Sequence, residues 1–237
     1  MVPRTAARDV VFIPSQLLTH AIWADQNAAI TTICTPFLAD HGSDDSVAGM
    51  ASRLLAQAPA RFHLVAQGMG GFVAFEILRR DHERVQSLVL IGTVASADGP
   101  AQSERRRGYS RLVEEGCYAD VIEQRLPILV GPRNAENLLL LGALRRMAEE
   151  TGAATFLRQQ AAIIGRPDSR PSLCQIARPT LVLRGEHDGI TLPEHQAEIA
   201  GLIPRAIAET VLDCGHVPSL EKPDWMAERL RRWLENV

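Results

Sequence analysis

The stretch that decides the fold is FHLVAQGMGGFVAFEIL, residues 62–78. An apolar run is followed by glycines at 68, 70 and 71, and then by apolar positions spaced three and four apart, as in a helix. A strand that enters a helix through a sharp glycine-rich turn is typical of parallel α/β sheets. The stretch therefore predicts a buried strand over 62–66, a turn of functional interest and a helix over 70–80.

The rest of the chain repeats this alternation. Apolar, β-branched runs predict further strands at 10–13, 30–35, 87–91, 180–184 and 207–212, and helical spacing predicts helices at 17–29, 46–58, 193–202 and 224–235. The alternation predicts an α/β fold with a mainly parallel sheet of about six strands flanked by helices. The strand signal stops from 98 to 173, where three or four inserted helices are expected. The predicted division is a core of 1–97 and 174–237 with a helical insertion at 98–173.

Composition narrows the function classes. A formal net charge of −3 over 237 residues gives no electrostatic basis for binding nucleic acid. The N-terminus lacks the apolar stretch of a signal peptide, and no run is long enough for a membrane span, so a cytoplasmic location is expected. Cys34, Cys117, Cys174 and Cys214 are dispersed without ligand spacing, which predicts reduced thiols and no metal site. We interpret the three arginines at 105–107 as a solvated helix face.

Two motifs place a glycine-rich turn between a strand and a helix. The dinucleotide-binding pattern GxGxxG would use Gly68 and Gly70 and would need a small residue at 73, where Val73 stands. It also calls for an acidic residue at the end of the next strand, where Ile91-Gly92-Thr93 stands. The sequence therefore predicts no nucleotide cofactor, and no other cofactor is expected.

The second motif is the nucleophile elbow GxSxG, which in this chain corresponds to Ala66-Gln67-Gly68-Met69-Gly70-Gly71. Downstream, LVLRGEHDGITLPE places Asp188 just after a predicted strand, and DCGHVPSLEKPDWM places His216 after the last one. In these residues and in their order the chain resembles the α/β-hydrolase fold superfamily, within it the small bacterial capped hydrolases of esterase and lactonase type. The stretch VFIPSQLLTHAIW, residues 11–23, is similar to the oxyanion loop of that family.

The resemblance implies roles for these positions. His216 would be the general base and Asp188 would orient it, while the backbone N–H groups of Met69 and Gln16 would stabilise an oxyanion. The insertion at 98–173 would be a helical cap. Two further residues are candidates for substrate binding, Ser15 and His20. Ser15 could also act as a displaced nucleophile, but we interpret its hydroxyl as a cap of the following helix.

The chain departs from the family at the elbow. Gly68 stands where the serine is expected, so covalent serine catalysis at that position is excluded. Ala66 and Ser15 stand where glycines are usual. Because glycine tolerates a strained backbone, the turn should persist without the serine side chain.

Three functions stay open on these residues. The first is an ester or lactone hydrolase for a small organic substrate, either inactivated or using water activated by His216. The second is a proton-transfer enzyme, namely a lyase, an isomerase or a cofactor-free oxygenase, which uses the His216–Asp188 pair. The third is a ligand-binding pseudoenzyme. None of them involves a nucleic acid or a membrane partner.

The N-terminus supports one more expectation. Family members usually begin with an antiparallel hairpin before the strand that corresponds to 10–13, so we expect this hairpin to be missing. The strand at 30–35 would then lie at a sheet edge, and an uncovered edge invites pairing with the tail or with a second copy. A homodimer is therefore predicted.

Overall fold

The structure, a computed structural model, describes residues 8–237. Its centre is a six-stranded sheet in the order β2-β1-β3-β4-β5-β6, and every neighbouring pair is parallel. The predicted parallel sheet is confirmed. The strands are β1 (Arg8–Ile13), β2 (Cys34–Leu38), β3 (Phe62–Gln67), β4 (Val85–Ile91), β5 (Thr180–Gly185) and β6 (Ala206–Val211).

Helices cover both faces of the sheet, so the central strands are apolar on both sides. In β1, Val10 and Phe12 belong to one buried cluster, while Val11 and Ile13 belong to the other. The helices of the core are α1 (Ala24–Ile30), α2 (Val47–Gln57), α3 (Met69–Asp81), α9 (Pro193–Leu202), α10 (Pro218–Glu221) and α11 (Pro223–Asn236). The helices between β4 and β5 are α4 (Pro100–Glu114), α5 (Tyr118–Arg125), α6 (Leu138–Thr151), α7 (Ala153–Ile164) and α8 (Arg170–Leu173).

The segment between β4 and β5 is helical, as expected, but it holds five α-helices where three or four were predicted. Within residues 8–237, no helix combines the length and the apolar character that crossing a membrane requires.

The second strand lies later in the chain than the sequence predicts. It spans Cys34–Leu38, whereas the apolar run predicts a strand at 30–35. Ile30 is fully buried, but it ends α1, which packs against α11. The expected helix at 17–29 also starts late, with a 3₁₀ turn at His20–Trp23 before α1.

Strand β2 lies at the edge of the sheet, as predicted. Pro36 lies within it and has no N–H to offer to another strand, a common way of blunting an edge. Residues 1–7, which bear on the expected absence of a hairpin, lie outside the described residues. The homodimer stays a prediction, and a proline in the edge strand makes direct pairing through β2 less favourable.

Candidate active site

The turn between β3 and α3 is centred on Gly68, which has φ +51° and ψ −115°. This is backbone that glycine adopts at little cost. The Gly68 N–H donates to the Ile91 carbonyl at 2.9 Å, and the Thr93 hydroxyl donates to the Gly68 carbonyl at 2.7 Å. These bonds tie the turn to the end of β4, so it keeps its shape without a side chain at 68.

Asp188 and His216 are brought together by the loops that follow β5 and β6. His216 Nδ1 lies 2.8 Å from Asp188 Oδ2, and the residues are 2% and 4% exposed, respectively. Asp188 Oδ1 accepts from the N–H groups of Ile190 at 2.8 Å and Thr191 at 2.9 Å. Burial alone would raise the pKa of the Asp188 carboxyl, but His216 and these N–H groups together hold that pKa below its ordinary value.

The charge of Asp188 decides how the histidine can act. An ionised carboxylate only accepts hydrogen bonds, so it places the proton of a neutral His216 ring on Nδ1. Nε2 is then the nitrogen with a free lone pair. It lies 3.3 Å from the point that an added Cβ at Gly68 would occupy, so the basic atom of the ring faces the turn.

Gly92 makes room for this pair and was missed by the sequence analysis. It has φ +52°, and a Cβ there would lie 2.9 Å from His216 Nδ1 and 3.0 Å from Asp188 Oδ2. In the sequence, the Ile91-Gly92-Thr93 stretch stands out only because it lacks the acidic residue of a nucleotide-binding fold. A glycine directly after a buried strand was the signal that could have identified it.

Two contacts hold the backbone of His216. The buried Gln67 side chain donates from Nε2 to the His216 carbonyl at 2.8 Å, and the His216 N–H donates to the Leu129 carbonyl at 2.8 Å. Nothing in the sequence marked Gln67 beyond its place beside the turn. The contact shows that β3 helps to position both the turn and the histidine loop.

Glu221, on α10, clamps the same loop to the insertion. One carboxylate oxygen accepts from the Gly215 N–H at 2.7 Å, and the other accepts from the Gly131 N–H at 2.7 Å and from Asn134 Nδ2 at 3.0 Å. A single carboxylate thereby joins the loop before His216 to residues between β4 and β5.

Replacing Glu221 with alanine would leave these N–H groups without their acceptor. We expect Glu221→Ala to lower the free energy of unfolding by about 1–3 kcal/mol, the usual cost of unpaired buried donors. Urea denaturation followed by circular dichroism measures it. The matched control is Glu228→Ala, because Glu228 forms an exposed pair with Arg232 and such pairs contribute about 0–1 kcal/mol. Equal effects of the two substitutions would contradict the clamp.

The position that a side chain at 68 would take is occupied by the hydroxyl of Ser15. An ideal Cβ on Gly68 would lie 2.1 Å from Ser15 Oγ and 2.8 Å from Ser15 Cβ. The interpretation of this hydroxyl as a helix cap is wrong, because the next helix begins at His20 and Thr19 caps it by accepting from the Ala21 N–H. Ser15 contacts the turn instead.

Gln16 and Met69, the predicted oxyanion donors, line the same cavity as Ser15, Gly68 and His216. Met69 is the first residue of α3, so its N–H has no partner within the helix. The resulting arrangement puts a helix N-terminus, a hydroxyl and a histidine nitrogen around one point. His20 does not lie there: its Nε2 donates to the Ala39 carbonyl at 2.9 Å, and it borders a separate groove with His41. The expectation that His20 borders this cavity is therefore wrong.

The cavity has a volume of about 740 Å³, including the part open to solvent, and four arginines contribute to its lining. They are Arg105, Arg106, Arg125 and Arg166. Among the described residues that line it, Asp98 is the one carboxylate, and it pairs with Arg166 at 2.7 Å and with Arg106.

Arg105 and Arg125 have no carboxylate partner among the ion pairs of residues 8–237. The interpretation of 105–107 as a solvated face is wrong for Arg106, which is partly buried and pairs with Asp98, whereas Arg105 is exposed and also borders the cavity. Arg107, which is absent from the lining and paired with Glu104 at the surface, does conform to it. The sequence does not distinguish these three arginines, because it does not show which face of the helix borders the cavity.

Comparison with known proteins identifies the family of this fold. The family model for the alpha/beta hydrolase fold matches residues 29–223. The pimeloyl-[acyl-carrier protein] methyl ester esterase of Nitrosomonas europaea is 27% identical over 189 residues, covering 76% of this chain and 74% of that protein. The esterase of the same name from Xanthomonas oryzae pv. oryzae is 35% identical over 85 residues, a match that spans 36% of this chain and 34% of that protein.

Solved structures show the same fold. An esterase from Thermogutta terrifontis superposes with a TM-score of 0.89 at 24% identity, covering 97% of this chain and 90% of that one. The enol-lactonase from Burkholderia xenovorans LB400 superposes with a TM-score of 0.87 at 20% identity, covering 99% and 94%. Because the family model spans most of the sequence, the chain belongs to the alpha/beta hydrolase fold family.

Proposed function

We propose that this protein hydrolyses small carboxylic esters or lactones, with His216 as the general base and Asp188 as the residue that orients it. One observation carries the proposal: His216 Nε2 lies 3.3 Å from the Cβ position of residue 68, while Nδ1 is held by a buried carboxylate. An imidazole oriented in this way can take a proton from a hydroxyl or a water that attacks a carbonyl carbon.

The surroundings suit the charge that such an attack creates. A tetrahedral intermediate carries an oxyanion, which backbone N–H groups stabilise when they converge on it. Met69 and Gln16 are the residues proposed to supply these groups, and the positive end of the α3 dipole adds to them. The names of the curated relatives, which are ester hydrolases, support the same class of reaction.

The proton-transfer and pseudoenzyme alternatives need no nucleophile. The Ser15 hydroxyl beside the Cβ position of residue 68 favours hydrolysis over both, since a hydroxyl at this point can attack or can hold an attacking water. The insertion at 98–173 is proposed to act as the cap, because its residues Arg105, Arg106, Arg125 and Leu129 form a wall of the cavity.

A panel of short p-nitrophenyl esters and lactones tests the proposal. We expect measurable turnover by the protein and a lower rate in His216→Ala. The matched control is His82→Ala, because His82 is exposed and absent from the cavity lining. No turnover of any ester or lactone, or a rate that His216→Ala leaves unchanged, would refute the proposal.

A further inference from the structure

Two departures of this chain from its family are reciprocal. The family carries serine at the elbow and glycine in the oxyanion loop, whereas this chain carries Gly68 and Ser15. We propose that Ser15 Oγ is the nucleophile of this enzyme, moved from the elbow to the neighbouring loop. This inference rests on the proposed function and goes beyond it by naming the attacking atom.

The distances show that the residues at positions 15 and 68 depend on each other. A Cβ at 68 would lie 2.1 Å from Ser15 Oγ and 2.8 Å from Ser15 Cβ, both well inside van der Waals contact. A side chain at 68 and the present Ser15 side chain therefore cannot coexist without movement. The elbow serine of the family is absent here, and the hydroxyl of Ser15, which follows β1, occupies the space of its side chain.

His216 Nε2 faces the space that the relocated hydroxyl occupies, so a small approach of the two atoms when substrate binds would allow proton transfer. Its Nε2 and Ser15 Oγ lie 3.3 Å and 2.1 Å from one common point, the Cβ position of residue 68. Ser15 is only 7% exposed, yet it lines the cavity, so a molecule bound there lies beside its hydroxyl. The loop is fixed by the Leu18 N–H, which donates to the Ser15 carbonyl at 3.2 Å.

A structural role for the hydroxyl is less well supported. Helix capping, the usual role for a serine in such a loop, belongs to Thr19. Space filling alone does not require a hydroxyl, because Ser15 Cβ already lies within contact distance of the turn.

The chemistry balances with these groups. Ser15 Oγ attacks the ester carbonyl carbon and gives its proton to His216 Nε2. The bond from that carbon to the leaving oxygen breaks as His216 returns the proton to the departing alcohol. Water then attacks the acyl-Ser15 ester, transfers a proton through His216, and releases the carboxylic acid with Ser15 restored.

A fluorophosphonate probe tests the assignment independently of turnover. The probe is expected to add once per chain, and peptide mass mapping should place the adduct on Ser15. The adduct should disappear in Ser15→Ala and persist in the control Ser52→Ala, because Ser52 is an exposed residue of α2. Circular dichroism verifies that each variant is folded. Ser15→Cys keeps a nucleophile of similar size and should give one equivalent of acylation with p-nitrophenyl acetate.

The outcomes separate this inference from the proposed function. Ester hydrolysis that survives in Ser15→Ala but is lost in His216→Ala would overturn the role of Ser15 and retain water as the nucleophile. Labelling of Ser15 in a protein that turns over no ester or lactone would support Ser15 and refute the proposed function. A folded protein that takes no label on Ser15 would overturn the inference.

Discussion

Asp188→Asn is expected to lower kcat for ester hydrolysis by about 10⁴-fold, the effect typical of replacing this carboxylate in a catalytic triad. The asparagine amide would donate to His216 Nδ1, which forces the imidazole proton onto Nε2 and removes the basic lone pair. The fold should remain, because the asparagine oxygen can still accept from the N–H groups of Ile190 and Thr191. Steady-state kinetics on the best ester or lactone of the panel measures the effect.

The control for this variant is Asp168→Asn, since Asp168 is a surface carboxylate paired with Arg170 and lies outside the cavity lining. Stability against pH gives a second readout. The pKa of Asp188 is lowered in the folded state, so the pair stabilises the protein above the ordinary carboxyl pKa near 4, and this contribution is lost as the pH falls through the lowered value. Urea unfolding between pH 6 and 3 should show this loss in the parent and a smaller one in Asp188→Asn. Equal rates of hydrolysis by the parent protein and Asp188→Asn would contradict the proposed role of Asp188 in orienting His216.

Restoring serine at the elbow should succeed only when Ser15 is removed. Gly68→Ser alone places a Cβ 2.1 Å from Ser15 Oγ, and overpacking of this kind costs about 1–3 kcal/mol. The double variant Ser15→Gly/Gly68→Ser removes the clash and puts a hydroxyl at the elbow, within reach of His216. We expect it to regain stability and to release one equivalent of p-nitrophenol in a burst.

Ser15→Gly by itself is the control, because this variant has no hydroxyl at position 15 or at position 68 and should show no burst. Thermal denaturation of all four proteins, read as a double-mutant cycle, gives the coupling between the two positions. Additive effects of the two substitutions, or a burst in Gly68→Ser without loss of stability, would show that the two side chains do not compete.

Much of the fold was open to prediction because its signals are local. The apolar runs of β1 and β3 to β6 alternate with helical spacing, and α9 was predicted with its observed ends, Pro193–Leu202. The exception is instructive. Ile30 is as apolar and as buried as a strand residue, but it ends a helix that packs against α11, and a short apolar run cannot distinguish the two environments.

The candidate site was predictable only where it follows strand ends. Parallel strands deliver the segments after β3, β5 and β6 to one edge of the sheet, so residues 68, 188 and 216 meet there. The overlap of Ser15 with the side-chain space of residue 68 depends on how two loops approach each other, which no periodicity encodes. The same holds for the contacts of Gln67 and Glu221, because their partners are backbone groups distant in sequence.

The arginines of the cavity give the protein an internal contrast in charge. The chain as a whole is acidic, with a net charge of −3, yet Arg105, Arg106, Arg125 and Arg166 face the same space as His216, with Asp98 as their counter-charge. At 0.1 M salt the screening length is about 10 Å, so an anion outside meets little attraction until it reaches the entrance. We therefore expect esters that carry a free carboxylate to bind at the cavity entrance more tightly than neutral esters. Raising the ionic strength should weaken this preference.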